Sequence, residues 1–200
     1  LTVAVRKHHL LVCRGLRARV QPDDLPAGEL EGAPALDEAH LSLEHARPHA
    51  IDLALRGLRS MQVRLERSTQ TALDVARWLD ERPEVSAVLC PMLPGAPGHD
   101  LWQRDFSGGC GLFSFVLSDG FDVDARARLI DALDLFGIGF SWGGFESLAI
   151  PFDPAPVHKL RPWPPGIDTG SGLGVRLSIG LEDAEDLIAD LAGGLDAMGA

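Results

Sequence analysis

The chain has 200 residues, of which 46% are hydrophobic and 24% charged, a composition typical of a globular protein with an ordinary core. Its 18 basic and 29 acidic residues give a formal net charge of -11, which repels a phosphate backbone, so no nucleic-acid partner is expected. No stretch approaches the roughly 20 apolar residues of a membrane span, so no membrane partner is expected either.

Residues 1–50 carry no sustained helical or strand period. Their apolar opening is too short and too interrupted for a signal peptide. They hold most of the histidines, namely His8, His9, His40, His45 and His49. We therefore expect a patterned domain over residues 51–200, preceded by an unpatterned leader over residues 1–50 that is unrelated to it or read out of frame.

The cysteines are odd in number and far apart, at Cys13, Cys90 and Cys110. This usage argues against a disulfide framework and against a zinc site of paired thiolates. It is typical of a reducing compartment, so a cytoplasmic location is expected. His8, His9 and Cys13 are residue types that bind metals, but in a segment without a predicted fold they form a weak pattern, and no metal site is predicted.

The patterned part begins with a long predicted helix. One apolar stripe recurs at intervals of three, four or seven residues: Leu58, Met61, Leu65, Ala72, Ala76 and Leu79. The helix should end near Arg82, because Pro83 disfavours helical geometry for the residue before it. Strands are predicted over residues 85–89, where apolar side chains alternate, and over residues 112–117, which are apolar on both faces.

A second helix is predicted over residues 124–136, with Asp122 or Asp124 accepting the free amides of its first turn. Its apolar side comprises Leu129, Ile130, Leu133 and Phe136. Residues 174–180 alternate strictly, which predicts a strand with Val175, Leu177 and Ile179 facing inward. Arg176 and Ser178 then face the other way, on a side available for function.

A last helix is predicted over residues 181–198, with acidic residues near the positive end of its dipole. The order helix, strand, strand, helix, strand, helix predicts an α/β fold, a two-layer domain in which a largely antiparallel sheet packs on helices. The segment FSWGGFESLAIP, residues 140–151, lies between the second predicted helix and the last predicted strand. Glycine weakens regular structure unless the backbone must bend or approach another group closely, so the backbone of residues 141–144 is expected to pass close to something.

Four segments together resemble the C-terminal part of the pyridoxal-phosphate (PLP) enzymes of cysteine and methionine metabolism, and among these the bacterial cystathionine β-lyases. They are LALRGLRSMQVRLERSTQTALDVARWL, PGAPGHDLWQRDFSGGCGLFSFVL, SWGGFESL and VRLSIGLEDAEDLIADL, in order from about Ile51 to Met198. The resemblance implies the small C-terminal domain of the type I PLP-dependent transferases. It also implies an amino-acid substrate such as cystathionine, and a homo-oligomer, a tetramer, for the intact enzyme.

The resemblance also implies roles for particular residues. Arg176 would hold the α-carboxylate of the substrate, and Ser141 and Trp142 would line the same pocket. A planar guanidinium suits this role because it can bind a carboxylate through two parallel charge-assisted bonds. Taken from the strand alone, Arg176 is equally a solvated surface charge. Trp142 resembles the β-lyase form, since the γ-acting relatives carry a smaller aliphatic residue there.

Arg59 would support the active site without touching the substrate, again by resemblance. From the helix pattern alone, Arg56 and Arg59 lie one turn apart and belong to a solvated or ion-paired face.

Three further patterns have ordinary interpretations. GSGLG, residues 170–174, looks like a phosphate-binding loop but precedes a strand, so a turn is predicted. Cys110 enters a strand in the same way and is predicted to be a small packed residue, not a nucleophile. Glu146 and Ser147 are an acid and a hydroxyl of the types used in catalysis, but a residue pair that pins the loop is the favoured interpretation.

The catalytic lysine of the family has no counterpart. PLP is held in such enzymes as a Schiff base to a lysine, and this chain has only Lys7 and Lys159, neither in the family's sequence context. No tyrosine is present to stack on the cofactor. We therefore predict no catalytic residue in this chain and expect that it does not bind PLP by itself, although PLP is the cofactor of the intact family enzyme.

Three functions are compatible with these observations. The first is the C-terminal part of a cystathionine β-lyase, which cleaves a carbon–sulfur bond to give homocysteine, pyruvate and ammonia. The second is the same part of a γ-synthase, a γ-lyase or a cysteine desulfhydrase. The third is a domain without catalysis that at most associates with full-length subunits.

Overall fold

The computed structural model describes residues 48–153 and 167–199. The predicted leader lies outside these residues, except for residues 48–50, which begin the first helix. The described residues divide into two compact units, residues 48–62 and the remainder from Val63 onward. The predicted boundary between leader and domain is not tested by this division and stays a prediction.

The long predicted helix is in fact two helices, so the prediction of one continuous helix is wrong at Ser60. Helix α1 spans Pro48–Arg59 and helix α2 spans Met61–Asp80. The Ser60 hydroxyl donates to the carbonyl oxygen of Gly57 at 3.4 Å. Serine side chains compete in this way with the helical backbone bonds, and glycine is a poor helix former, so the two residues together favour an interruption. The end of α2 at Asp80 agrees with the signal from Pro83.

The sheet has five strands in the order β1-β2-β5-β4-β3. Their bounds are β1 Val85–Leu89, β2 Leu112–Leu117, β3 Gly137–Ile138, β4 Leu148–Phe152 and β5 Gly174–Ser178. All neighbouring pairs are antiparallel except β3 and β4. The predicted strands β1, β2 and β5 are confirmed, and so is the largely antiparallel sheet.

Strands β3 and β4 were not predicted. Strand β3 has only two residues, too few to show a period. Strand β4 contains Pro151, which ordinarily argues against a strand because it cannot donate to a ladder. The proline is accommodated because β3 pairs only with Leu148 and Ala149, so that Pro151 lies beyond it and is exposed. At the opposite edge of the sheet, the pairing of β1 with β2 shifts register between Val85 and Ala87.

Three more helices complete the described part of the chain: α3 His99–Asp105, α4 Val123–Asp131 and α5 Ala184–Ala197. The predicted cap of α4 is confirmed, because the Asp122 carboxylate accepts the Ala125 amide at 2.8 Å. Helix α4 ends five residues earlier than predicted, and the backbone that follows it turns instead toward α5. Helix α3 was not predicted, since its seven residues bury no side chain and give no apolar stripe.

One hydrophobic core joins the helices to the sheet. The inward residues of β5, Val175 and Leu177, are fully buried as predicted at 0% exposure, and Ile179 just after the strand is buried at 1%. They pack in a single cluster with side chains of α2, α4 and α5, such as Leu79, Leu129 and Leu191. This arrangement confirms a two-layer α/β domain and leaves the alternate residues of β5, Arg176 and Ser178, on the face away from that cluster.

Candidate functional site

The candidate site is formed where the outward face of β5 meets the loop that joins β3 to β4, residues 139–147, called here the 139–147 loop. The Nη2 atom of Arg176 donates to the carbonyl oxygen of Phe140 at 2.9 Å, with longer contacts to the carbonyls of Ser141 at 3.3 Å and Gly139 at 3.5 Å. The Ser178 hydroxyl accepts the Gly143 amide at 3.3 Å. The group that the loop backbone was expected to approach is therefore the polar face of β5.

Trp142 lies over the arginine. The guanidinium carbon of Arg176 is 5.7 Å from the centroid of the Trp142 ring, a cation–π distance. The next residue, Gly143, has a φ of 76°, which a residue with a side chain rarely adopts, so glycine is required for this turn. The three residues predicted to share a pocket, Arg176, Ser141 and Trp142, are thus brought together, with Ser141 making its contact through the main chain.

The Nε atom of Arg176 has no partner among the described residues, while the neighbouring Nη2 donates to the loop carbonyls. A guanidinium binds a carboxylate side-on through Nε and one Nη, as Arg82 does with Glu84 at 3.1 and 3.0 Å and Arg104 does with Asp105 at 2.8 Å for both bonds. The Nε of Arg176 is buried and has no hydrogen-bond partner within the described part of the chain. Because a buried unpaired donor is costly, Nε is suited to an acceptor that the described residues do not supply, and a carboxylate there would share Nη2 with the loop carbonyls.

Ser147 anchors the end of the loop. It is fully buried, and both its amide and its hydroxyl donate to the carboxylate of Glu182, at 2.7 and 2.8 Å. Glu146, by contrast, is exposed. The sequence favoured Glu146 and Ser147 as a residue pair that pins the loop. Ser147 does hold the end of the loop, but the carboxylate that binds it belongs to Glu182. The sequence placed Glu182 only among the acidic residues before α5, and no local signal links it to a serine 35 residues away.

The GSGLG segment and the cysteines have contacts typical of turns and packed side chains. GSGLG forms the turn that enters β5, and a Cβ at Gly170 would lie 2.2 Å from the Leu117 carbonyl oxygen. Cys110 is half-buried, with its sulfur 3.9 Å from the Leu112 carbonyl oxygen. Cys90 is buried, and desolvation by burial raises the pKa of its thiol, which favours the neutral form.

Arg59 is exposed in the last turn of α1, in the unit formed by residues 48–62, and its supporting role stays a prediction. His8, His9 and Cys13 lie outside the described residues. Within the described ranges, no group of three or more histidine, cysteine or acidic residues is arranged to bind a metal ion. No helix there has the length and apolar composition needed to cross a bilayer.

Residues 48–153 and 167–199 contain no lysine, so this part of the chain does not by itself fit PLP as its carrier. An amine is needed for the covalent link to the cofactor. No catalytic step is therefore assigned to the site, whose distinguishing feature is an arginine oriented by loop carbonyls.

Fold and site together define an α/β domain in which a mostly antiparallel sheet presents an oriented arginine beside a glycine-rich loop, and its similarity to known proteins is specific. The family model of the Cys/Met metabolism PLP-dependent enzymes matches residues 42–196, so the chain belongs to that family. The resemblance noted in the sequence is thereby confirmed, and PLP is the cofactor of this family.

Individual relatives support the same assignment. The chain is 47% identical over 139 residues to the cystathionine beta-lyase MetC of Escherichia coli, a match that covers 70% of this chain and 35% of that protein. It is 34% identical over 145 residues to a cystathionine gamma-lyase of Dictyostelium discoideum, covering 72% of this chain and 37% of that protein. Among solved structures, an O-acetylhomoserine sulfhydrylase of Wolinella succinogenes is similar with a TM-score of 0.61 and 33% identity, covering 74% of this chain and 39% of that chain.

The chain spans about a third of the length of the relatives it matches, 35% in the case of the Escherichia coli protein. Most of such an enzyme therefore has no counterpart in the matched region.

Proposed function

We propose that this chain supplies the substrate-carboxylate site of a PLP-dependent carbon–sulfur lyase, and that Arg176 binds the α-carboxylate of the amino-acid substrate. The observation that carries the proposal is the unpartnered Nε of Arg176 beside an Nη2 already oriented by three loop carbonyls. An arginine held in this way loses little conformational freedom when a carboxylate binds side-on.

Trp142 and Ser141 shape the entrance to that carboxylate site. The Nε of Arg176 is buried, so a ligand that pairs with it has to displace part of its cover. The Trp142 ring lies over the guanidinium and is 46% exposed, which leaves it room to move. Binding of a carboxylate should therefore change the environment of Trp142, while the Ser141 carbonyl keeps the guanidinium in place.

The proposed substrate is cystathionine, cleaved on the β side to homocysteine, pyruvate and ammonia. The name of the Escherichia coli relative and the tryptophan at position 142 support this choice. The alternative is a γ-acting enzyme or a cysteine desulfhydrase, and the Dictyostelium discoideum gamma-lyase and the Wolinella succinogenes sulfhydrylase are observations in its favour.

The cofactor would supply the electron sink for breaking bonds at the substrate's α-carbon, and this chain would supply binding and orientation. The intact enzyme is proposed to be a homo-oligomer, a tetramer by family resemblance, in the cytoplasm, with its further residues carrying the lysine. Residues 1–200 by themselves are proposed to be a domain without catalysis, the third of the functions considered from the sequence. Within the type I PLP-dependent transferase fold, this domain would be the small C-terminal one.

A chimera tests the proposal. Residues 51–200 would be joined to the part of the Escherichia coli relative that this chain does not match. Arg176→Lys keeps the charge but loses the side-on geometry, and we expect kcat/KM for cystathionine to fall about 10- to 150-fold, the equivalent of one hydrogen bond to a charged group. Arg176→Leu should do worse, while the absorbance of the cofactor stays unchanged.

Arg104→Leu is the matched control, because the Arg104 side chain is 69% exposed and already paired with Asp105 beside it. It should leave kcat/KM within about twofold, as surface changes usually do. Near-normal kcat/KM in Arg176→Leu would remove the proposed carboxylate role. The products decide between the two reactions, since pyruvate marks β-cleavage and 2-oxobutyrate marks γ-cleavage.

A further inference from the structure

The 139–147 loop is held mainly at its ends. Residues 140–146 are all exposed, and Phe140 and Phe145 reach 80% and 71% exposure, so burial of the loop's own side chains does not fix its conformation. Of the three contacts from Arg176 to the loop carbonyls, only the one to Phe140 is short. Other groups must therefore define where the carbonyls and the Trp142 ring lie.

The C-terminal end of the loop is tied to the chain just beyond β5 by a closed set of hydrogen bonds. Glu182 accepts both the amide and the hydroxyl of Ser147, at 2.7 and 2.8 Å. The same hydroxyl accepts the Gly180 amide at 2.9 Å. The Leu181 amide donates to the Phe145 carbonyl oxygen at 2.9 Å. The amide and the hydroxyl of Ser147 are thus both hydrogen-bonded to residues 180–182.

The backbone of residues 145–147 also approaches Gly180 so closely that a side chain is excluded. A Cβ at Gly180 would lie 2.3 Å from the Phe145 carbonyl oxygen and 2.6 Å from the Glu146 carbonyl carbon. The loop end and the segment after β5 are therefore in direct main-chain contact.

The segment before the loop is held by a second carboxylate of the same region. Asp190 in α5 accepts the amides of Asp134, Leu135 and Phe136, at 2.9, 2.9 and 3.4 Å. Both carboxylates follow β5 in the chain, and β5 carries Arg176. Both ends of the loop are therefore bonded to the stretch of chain that begins with β5 and contains Arg176.

We propose that Glu182 is a positioning residue for the Arg176 site: its bonds to Ser147 fix the 139–147 loop so that the loop carbonyls and the Trp142 ring hold the guanidinium. The proposal deepens the proposed function, on which its biological meaning rests, but the geometric claim concerns this chain alone. Asp190 acts at the opposite end and has no bond to Ser147 in the structure.

The test uses the 200-residue chain labelled with fluorotryptophan. Glu182→Gln keeps the shape of the side chain but removes its charge and one acceptor. We expect amide hydrogen exchange at Ser147 to become at least about tenfold faster, because hydrogen bonds to a charged group are the stronger kind. The fluorine resonance of Trp142, assigned with Trp142→Phe, should shift or broaden, whereas those of Trp78 and Trp102 should not.

Two further variants make the result specific. Glu185→Gln is the matched control, an exposed glutamate in the first turn of α5, and it should leave Trp142 and the Ser147 amide unchanged. Ser147→Ala removes only the hydroxyl that joins Glu182 to Gly180, and it should move the Trp142 resonance in the same direction even if Glu182→Gln folds poorly.

An unchanged Trp142 resonance in folded Ser147→Ala or Glu182→Gln would overturn the proposal, and so would an equal effect of Glu185→Gln. These measurements contain no substrate. A failure of Arg176→Leu to impair the chimera would therefore remove the proposed function while leaving the positioning role of Glu182 standing, and the two failures can be told apart.

Discussion

Two arginines of this domain differ in role because their surroundings differ. The Nε of Arg176 has no hydrogen-bond partner among the described residues. Arg126 in α4 is used structurally: its side chain is 7% exposed, and its Nη1 donates to the carbonyls of Phe152 at 2.9 Å and Gly174 at 3.3 Å. The same atom pairs with Asp153 at 2.7 Å. Arg126 thus joins the end of β4 to the start of β5.

Arg126→Met is expected to lower the free energy of unfolding by about 1 to 3 kcal/mol, because two carbonyl oxygens lose their charged donor while the apolar volume is kept. Asp153→Ala is the matched comparison. The Asp153 side chain is 57% exposed, so its ion pair is largely screened and its loss should cost less than about 1 kcal/mol.

Urea unfolding followed by circular dichroism measures both variants. A loss in Asp153→Ala as large as that in Arg126→Met would show that the ion pair, and not the two carbonyl bonds, carries the contribution of Arg126.

The elements that the sequence predicted well are those with a clear period. Strand β5 alternates without exception, so both its buried residues and the outward direction of Arg176 followed from the sequence alone. The partners of Arg176 did not, because loop carbonyls and the Glu182–Ser147 bonds join residues about 35 positions apart. The Ser60 interruption and strand β4 were missed because a single serine bond and a tolerated proline act against the local pattern.

Two glycines near the C-terminal end should respond in opposite directions to alanine. Gly180→Ala is expected to destabilise the domain by about 1 to 3 kcal/mol, since its methyl group would overlap main-chain atoms of the loop, which cannot rotate away. Gly193→Ala in α5 should stabilise it by about 0.5 to 1 kcal/mol, because a Cβ there meets nothing within 4 Å and alanine favours a helix.

The two variants share one chemical change, so thermal unfolding of each against the unsubstituted chain separates steric from helical effects. A stable Gly180→Ala would mean that residues 180–182 do not lie against the loop as described.

At the scale of the whole molecule, the chain spans about a third of the length of the relatives it matches. Among the described residues, the buried hydrophobic side chains form one cluster that joins the helices to the sheet. The matched relatives are about three times as long as the region they share with this chain, and the lysine context of their family was not found in its sequence. The fold class was predictable because it depends on local periods, whereas the contacts of the candidate site join residues far apart in the chain.

Residues 1–200 are expected to form no stoichiometric covalent adduct with PLP. Lys7 and Lys159 lack the family's sequence context, so PLP should attach weakly and at arbitrary amines. Incubation, borohydride reduction, dialysis and peptide mass spectrometry measure the adduct, with free lysine and PLP as the reference. A single modified site at Lys159 with full occupancy would contradict this expectation.

The outermost strands of the sheet bear on a different property, the tendency of β-proteins to join edge to edge and aggregate. An open edge strand offers unpaired main-chain groups to any second chain. At one edge, β1 is distorted by its register shift near Val85. At the other edge, β4 extends beyond β3 and has the exposed Pro151 there, which has no N–H to donate. Both features discourage intermolecular strand pairing, so we expect this domain to resist edge-to-edge association even in concentrated solution.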